Sequence, residues 1–154
     1  MSFWPLIGLE EATVRAWGTD GADMSQRAVE IILMRQLASY LAMPILLFDP
    51  QGNLLFYNEP AETILGRRFD ETGEIPLKEW YAMIDPTAED GSPLPLEARP
   101  LVIALQTRKA ATRSFLLRMP DGTRRKVDST AFPLEGQGGR NLGAVAILMG
   151  VRSA

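Results

Sequence analysis

The chain has 154 residues, a length typical of one domain, and its hydrophobic fraction of 46% is ordinary for a protein that buries a core. The net charge of −3 is small and the acidic and basic residues are interspersed, which argues against a nucleic-acid partner. There are no cysteines and no histidines, which excludes a thiolate nucleophile, a zinc–thiolate site and a histidine-ligated haem.

The first predicted elements are helical and lie in residues 1–43. Leu9 to Trp17 has helical spacing and is followed by a turn at residues 18–21. Asp23, with Gln26 three residues later, predicts the start of a second helix that runs to about Ala42. This helix carries a broad apolar stripe of Ala28, Ile31, Met34, Leu37, Ala38 and Leu41. Such a face has to be covered, by the sheet, by a second copy of the chain, or by both.

A hairpin that leads into a helix is predicted next. Pro50 and Gly52 suit a tight turn, so residues 45–48 and 53–57 should pair as antiparallel strands. Asn58 then provides a side chain that caps a helix, and Gly66 ends that helix.

The middle of the chain predicts two helices separated by a loop. Residues 76–84 indicate a short helix, residues 85–95 an acidic, proline-rich loop, and residues 96–107 one longer helix.

The last third of the chain predicts strands. Residues 115–127 are typical of a hairpin around Asp121 and Gly122, and residues 141–147 of a final strand. The cluster Gly136 to Gly139 lies between two strands and is interpreted as a loop, not a phosphate-binding turn. In residues 45–48 and 142–151 the side chains that would point to one face of a strand and those that would point to the other are both apolar. We therefore expect both faces of the sheet to be covered there.

These pieces, in this order, resemble a PAS domain. The resemblance covers roughly residues 40–152 and rests on the hairpin with Asn58, the segment at residues 90–105, the hairpin at 115–127 and the last strand. It implies an α+β fold: a five-stranded antiparallel sheet with short helices on one face and an N-terminal amphipathic helix. We therefore divide the chain into an N-terminal helical segment for packing or dimerisation, residues 1–43, and a PAS-like domain, residues 44–152.

The resemblance also implies a function. PAS domains are sensory or interaction modules of intracellular signalling, so we expect a non-enzymatic protein that forms a homodimer through the stripe on the predicted helix, with a signalling protein as a further partner. A cavity for a small apolar ligand is implied between the helices and the sheet. The candidate lining residues are Phe48, Tyr57, Ile64, Trp80, Met83, Leu101, Leu105, Phe115, Leu117 and Ile147.

Two alternatives stay open. One is a sensor that carries a cofactor, although the composition allows neither a cysteinyl–flavin adduct nor a histidine-ligated haem, so the cofactor would be non-covalent flavin or an atypically ligated haem. The other is a small enzyme that uses the cavity, for which carboxylates, Tyr and Lys would have to serve as acid or base. No catalytic residue and no metal site is predicted, and Asp128 is interpreted as a paired residue on the surface of a strand.

Membrane signals are absent from the sequence. No apolar run reaches the roughly 18 residues that a spanning helix needs. The start, Met1 to Pro5, lacks the basic region of a secretory signal. We therefore expect a cytoplasmic protein with no membrane partner.

Overall fold

A computed structural model describes residues 28–153. The predicted helix at residues 9–17, the turn at 18–21 and the cap at Asp23 lie outside the described residues. Residues 28–39 form helix α1, which ends earlier than the predicted Ala42.

The described part of the chain then alternates short strands and short helices before ending in three longer strands. The elements are β1 (Ile45–Phe48), β2 (Leu54–Tyr57), α2 (Glu59–Leu65), α3 (Phe69–Thr72), α4 (Leu77–Ile84), α5 (Pro100–Thr107), β3 (Ala111–Arg118), β4 (Arg124–Glu135) and β5 (Asn141–Ser153). The strands form one sheet in the order β2-β1-β5-β4-β3, with antiparallel pairing throughout. The predicted α+β class with a five-stranded antiparallel sheet is confirmed.

The first hairpin forms through local signals that the sequence displays. The Asp49 carboxylate accepts hydrogen bonds of 2.9 Å from the amides of Gln51 and Asn53, which holds the turn closed. Gly52 has a φ of 89°, a left-handed conformation that glycine adopts without strain. The predicted pairing of residues 45–48 with the following strand is therefore confirmed.

Asn58 caps α2 as predicted and also connects distant segments. Its side-chain Oδ1 accepts from the amide of Ala61 at 3.3 Å and from the amide of Ile45 at 2.9 Å. Its Nδ2 donates to the carbonyl oxygens of Ala38 and Met43, both at 2.9 Å. Because the side chain is buried and bonded at both ends, it fixes α1, β1 and α2 relative to one another.

The prediction of one long helix over residues 96–107 is wrong. Residues 96–98 form a 3₁₀ turn, and α5 begins only at Pro100. Arg99 between them is extended, with φ −84° and ψ 132°. The reason is that proline clashes with a helical conformation of the preceding residue and lacks an amide donor of its own.

Apolar side chains cover both faces of the sheet, as predicted. The inner core lies between one face and helices α2, α4 and α5, and it includes Leu46, Phe48, Trp80, Leu101, Phe115, Leu117 and Leu148. The outer core lies between the other face and α1, and it comprises Ala38, Ile45, Leu47 and Val145 with Ile31, Met34, Phe56, Phe132, Leu134 and Ile147 packed around them. The sheet is thus a shared wall between α1 and the inner helices.

Candidate functional site

The inner core encloses a small cavity between the sheet and helices α4 and α5. Its floor consists of side chains from β1, β3, β4 and β5, and its wall consists of Trp80, Tyr81 and Ile84 from α4 with Pro100 and Leu101 from α5. The cavity volume is about 40 Å³. A single water needs ~10–15 Å³ on this measure. There is therefore room for a few non-hydrogen atoms, whereas pockets for drug-sized ligands measure ~300–1,000 Å³.

Aromatic side chains set the shape of the cavity. Phe48 from β1 and Trp80 from α4 meet edge to face, with their ring centroids 5.7 Å apart. Phe115 and Leu117 from β3 complete the apolar side. Large, rigid rings fill an irregular space less completely than flexible side chains do, which accounts for a cavity at this position.

The polar side of the cavity is built around Tyr81 and Arg99. The Arg99 guanidinium stacks on the Tyr81 ring, with its central carbon 4.4 Å from the ring centroid. Its Nε and Nη2 donate to the carbonyl oxygen of Leu94 at 3.2 and 3.0 Å. The Tyr81 hydroxyl is buried near this guanidinium, and its proton has no acceptor. A buried hydroxyl without an acceptor is costly, so the cavity carries an unused donor.

The electrostatics of this side favour a neutral tyrosine. Burial raises the pKa of Tyr81 above its ordinary value of 10.0, and the nearby Arg99 guanidinium opposes that rise. The hydroxyl therefore keeps its proton at neutral pH and is available as a donor. Ser129 on β4 is also buried and is the polar residue that the sheet contributes to the cavity lining.

The predicted lining residues separate into two groups. Those that line the cavity are Phe48, Trp80, Leu101, Phe115 and Leu117. Those that lie elsewhere are Tyr57, Ile64, Met83, Leu105 and Ile147. Ile64 and Met83 line a separate groove at the ends of α2 and α4, and Leu105 packs at the edge of the inner core near Gly52.

Two of the displaced residues have a clear physical reason. The Tyr57 hydroxyl points away from the cavity, because it donates to the carbonyl oxygen of Arg67 at 3.1 Å and lies 2.9 Å from the Thr72 hydroxyl. Burial raises the pKa of Tyr57. Ile147 pairs with Ile45 and belongs to the outer core, since consecutive strand residues point to opposite faces. The expectation that Ile147 lines the cavity is therefore corrected.

The predicted interface residues also fall on two sides of α1. Ile31, Met34 and Ala38 pack into the outer core against the chain's own sheet. Their packing against the chain's own sheet accounts for their apolar character, and their assignment as interface residues stays a prediction. Ala28, Leu37 and Leu41 remain exposed.

A second apolar side of α1 faces away from the sheet. We call it the outer stripe, and its members are Val29, Ile32, Leu33 and Leu37 of α1 with Tyr40 directly after the helix, each between 52% and 78% exposed. It lies opposite Ala38, because residues that differ by about half a helical turn point in opposite directions. The helix is thus apolar on two sides and covered on one.

Sequence reasoning missed the polar half of the cavity. Tyr81 follows Trp80 directly, and Arg99 precedes Pro100, but nothing in the local pattern relates two residues that are 18 positions apart. Their stacking depends on the loop at residues 85–95, which Thr87 ties to β3 through backbone hydrogen bonds of 3.0 and 2.9 Å with Leu116. The sequence signal that would have suggested them is an aromatic residue on one side of such a loop and a cationic residue on the other.

Asp128 lies on the surface of β4, where the structure confirms a paired residue. The Ser114 hydroxyl donates to its carboxylate at 2.5 Å, and Arg152 donates at 3.2 Å. The hydrogen bond from Ser114 is the main reason that its pKa lies below the ordinary 3.8, and Arg152 acts in the same direction.

Residues 28–153 contain neither a metal-binding cluster nor a membrane-spanning helix. In that range no group of three or more His, Cys, Asp or Glu side chains is arranged to hold a metal ion. The helices of the same range are too short or too polar to cross a bilayer.

Comparison with known proteins gives matches in structure only. No protein-family model matches the chain, and no curated protein is significantly similar to it in sequence. The PAS domain of a protein from Colwellia psychrerythraea superposes with a TM-score of 0.56 at 17% identity, over 79% of this chain and 97% of that one. The PAS domain of Bordetella pertussis BvgS superposes with a TM-score of 0.55 at 17% identity, over 80% of this chain and 87% of that one.

A third structure is the light-state dimer of the fungal blue-light photoreceptor Vivid. It superposes with a TM-score of 0.53 at 12% identity, over 71% of this chain and 78% of that one. Similarity at these identities reflects a common fold, which many functions share.

Proposed function

We propose that this chain, which has the PAS fold, is a non-enzymatic sensory or interaction module of intracellular signalling. The observation that carries the proposal is the position of Asn58. Its amide joins the end of α1, on one face of the sheet, to β1 and to α2, on the other face. A change in the inner core therefore has a short, hydrogen-bonded route to the helix that covers the outer face.

The mechanism is a population shift between two packings of α1. An occupant of the cavity touches α4, α5 and the floor strands, and β1 and β5 carry inner-core and outer-core residues at alternating positions. Any displacement of those strands also moves Val145 and Leu47, on which α1 packs. An occupant that favours one packing shifts the equilibrium by its difference in affinity for the two.

Altering the cavity tests this coupling. Ala146→Val places extra volume against the cavity from β5, and Ala110→Val makes the same chemical change at an exposed site. We expect Ala146→Val to change hydrogen exchange of the amides in residues 28–43 by roughly fivefold or more, equivalent to about 1 kcal/mol. Ala110→Val should leave those amides unaltered. Equal exchange in both variants would contradict the coupling.

The output surface in this proposal is the outer stripe, and its partner is a second copy of the chain. The stripe presents five large apolar side chains on one side of α1 and of the turn that follows it, and fully burying one such side chain is worth ~1.5–3 kcal/mol. Vivid, which has the same fold, forms a dimer in its light state. The segment of residues 1–43 thus acts in packing and dimerisation, and residues 44–152 form the sensory domain. A separate signalling protein is the competing partner for the same stripe.

Light scattering over a range of concentrations distinguishes these partners. Leu33→Glu puts a charge in the middle of the stripe, and Gln106→Glu adds the same charge at an exposed position of α5, away from the stripe. We expect a concentration-dependent dimer that Leu33→Glu weakens by at least about tenfold and Gln106→Glu leaves unchanged. A strict monomer at every concentration would overturn the homodimer and leave the stripe to a different protein.

The sequence alternatives, a cofactor-carrying sensor and a small enzyme, are not part of the proposal. A flavin or haem needs far more room than the present ~40 Å³, so the wall of α4 and α5 would have to move apart. The visible absorption of the protein purified after growth with added cofactor tests the first alternative. A flavin or haem spectrum at a stoichiometric level would replace the proposal with a cofactor-carrying sensor. The expected cytoplasmic location stays a prediction.

A further inference from the structure

We infer that the cavity binds a small monocarboxylate of the size of acetate or propionate, with the carboxylate at Arg99 and Tyr81 and the carbon chain against Trp80 and Phe115. This inference rests on the proposed sensory function, because it names the class of molecule that the cavity recognises.

The charge of the lining selects an anion. Arg99 is the charged side chain among the cavity-lining residues, and no Asp or Glu lines the cavity. Within the described residues no carboxylate forms an ion pair with Arg99. Its contact with Tyr81 orients the guanidinium without neutralising it. A half-buried cation beside an apolar cavity is stabilised most by a ligand that carries a negative charge.

The hydrogen-bond donors select a carboxylate among anions. Two of the three guanidinium nitrogens of Arg99 are bonded to the Leu94 carbonyl, so Nη1 is left to donate elsewhere. The Tyr81 hydroxyl is a second donor near the same guanidinium, and its proton has no acceptor of its own. A carboxylate has two acceptor oxygens on one carbon, so it can accept from both of these donors at once.

The N-terminus of α5 lies at the same wall and adds to this preference. The helix starts at Pro100, has no side-chain cap and contributes Pro100 and Leu101 to the lining. The partial positive charge of a helix start favours an anion nearby. Ser129 supplies a further hydroxyl from the floor.

The volume limits the rest of the ligand. About 40 Å³ corresponds to roughly three or four separate water-sized spheres. Because bonded atoms lie closer together than separate waters, the same volume holds roughly four or five bonded non-hydrogen atoms. That leaves space for one or two carbons beyond the carboxylate, and the remaining lining is aromatic or aliphatic. A dicarboxylate would place its second charge among apolar side chains with no partner, and a long acyl chain has no room.

The test is a titration of the protein of residues 1–154, followed by NMR of its backbone amides. Sodium acetate and sodium propionate are the probes, with acetamide as the neutral isostere, hexanoate as the long chain and sodium chloride for ionic strength. We expect saturable shifts of the amides of Tyr81, Leu101 and Ser129 with acetate and propionate, and no saturable shift with the other three.

Variants identify the groups responsible. Arg99→Gln should weaken binding by about tenfold or more, and Tyr81→Phe by about threefold to tenfold, because each removes one donor. Arg99→Lys keeps the charge and should restore part of the affinity, which separates a ligand contact from a role in folding. Arg113→Gln, at an exposed position of β3, removes the same charge from a remote surface and should have no effect.

The outcomes separate this inference from the function on which it rests. Saturable binding of acetamide with the same affinity as acetate, unaffected by Arg99→Gln, would overturn the carboxylate while leaving a ligand-binding sensor in place. If none of the probes gives a saturable shift, the carboxylate is overturned. The coupling of the cavity to α1 is tested separately, by the hydrogen-exchange experiment on Ala146→Val.

Discussion

The side-chain amide of Asn58 donates a hydrogen bond of 2.9 Å to the carbonyl oxygen of Ala38, 20 positions earlier in the chain. Ala38 lies in the last turn of α1, and Asn58 is the N-cap of α2. One side chain therefore ends the helix on the outer face and starts the helix on the inner face. Local propensity accounts for the cap, but the contact with α1 requires the folded sheet.

Removing this amide should loosen the whole assembly. Asn58→Ala deletes the cap and leaves the buried carbonyl of Ala38 without its donor, so we expect a loss of about 2–4 kcal/mol in the free energy of unfolding. Chemical denaturation measures it. Asn141→Ala is the matched control, because Asn141 accepts one local hydrogen bond at 3.0 Å from the amide of Gly143. An Asn58→Ala variant as stable as the control would refute the role given to the Asn58 contacts.

A charge at Ala38 should detach α1 from the sheet. Ala38 is 2% exposed and lies in the outer core, so Ala38→Asp would bury a carboxylate without a partner. Release of α1 avoids that cost, and we expect amide protection in residues 28–39 to be lost while the fluorescence of the core Trp80 is retained. Ser39→Asp, on the exposed neighbour, should preserve protection. Protection that survives Ala38→Asp would mean that α1 does not depend on the outer core.

How much of this architecture the sequence predicts depends on how far apart in the chain the residues that determine each feature lie. The hairpin around Gly52 and the cap at Asn58 were predictable because a turn and a cap are determined within a few residues. The helix over residues 96–107 was predicted wrongly because apolar spacing continued through Pro100, and the spacing outweighed the restriction that proline imposes on Arg99.

The candidate site was predictable only in its apolar half. Trp80 and Phe115 lie in elements whose burial the pattern indicates, and both line the cavity. The sequence could not show which apolar side of α1 meets the sheet, since Ala38 and Leu33 both lie on apolar arcs. Nor could it bring Tyr81 and Arg99 together, because that contact depends on the path of the intervening loop.

Gly143 is a position where a side chain cannot be added. Its φ is 122°, and a Cβ atom there would lie 1.8 Å from the carbonyl oxygen of Phe48 on the neighbouring strand. We expect Gly143→Ala to separate β5 from β1 and to cost about 3 kcal/mol or more, or to prevent folding. Thermal unfolding measures the loss.

Gly122→Ala is the control for that substitution. Gly122 also has a positive φ, 88°, but a Cβ atom there meets nothing within 4 Å. Its cost should therefore be limited to backbone strain of about 1 kcal/mol. Similar losses in the two variants would mean that strain, and not the close approach of β5 to β1, explains Gly143.

Asp128 should make part of the stability depend on pH in the acidic range. Hydrogen bonds from Ser114 and Arg152 hold its pKa in the folded protein below the ordinary 3.8. A carboxyl whose pKa is lowered by folding stabilises the protein above its unfolded pKa, and this contribution is lost as the pH falls through the folded pKa. We therefore expect Asp128→Asn to be less stable than the parent at pH 6, with the difference shrinking toward pH 3. Denaturation midpoints at the two pH values measure this difference. Asp70→Asn is the control, because Asp70 forms an exposed ion pair with Arg68, and its effect on stability should change less between the two pH values. The contrary result would be a stability difference between Asp128→Asn and the parent that is the same at pH 6 and at pH 3. It would show that the charge of Asp128 does not stabilise the fold, because an uncharged contact does not weaken when carboxylates become protonated.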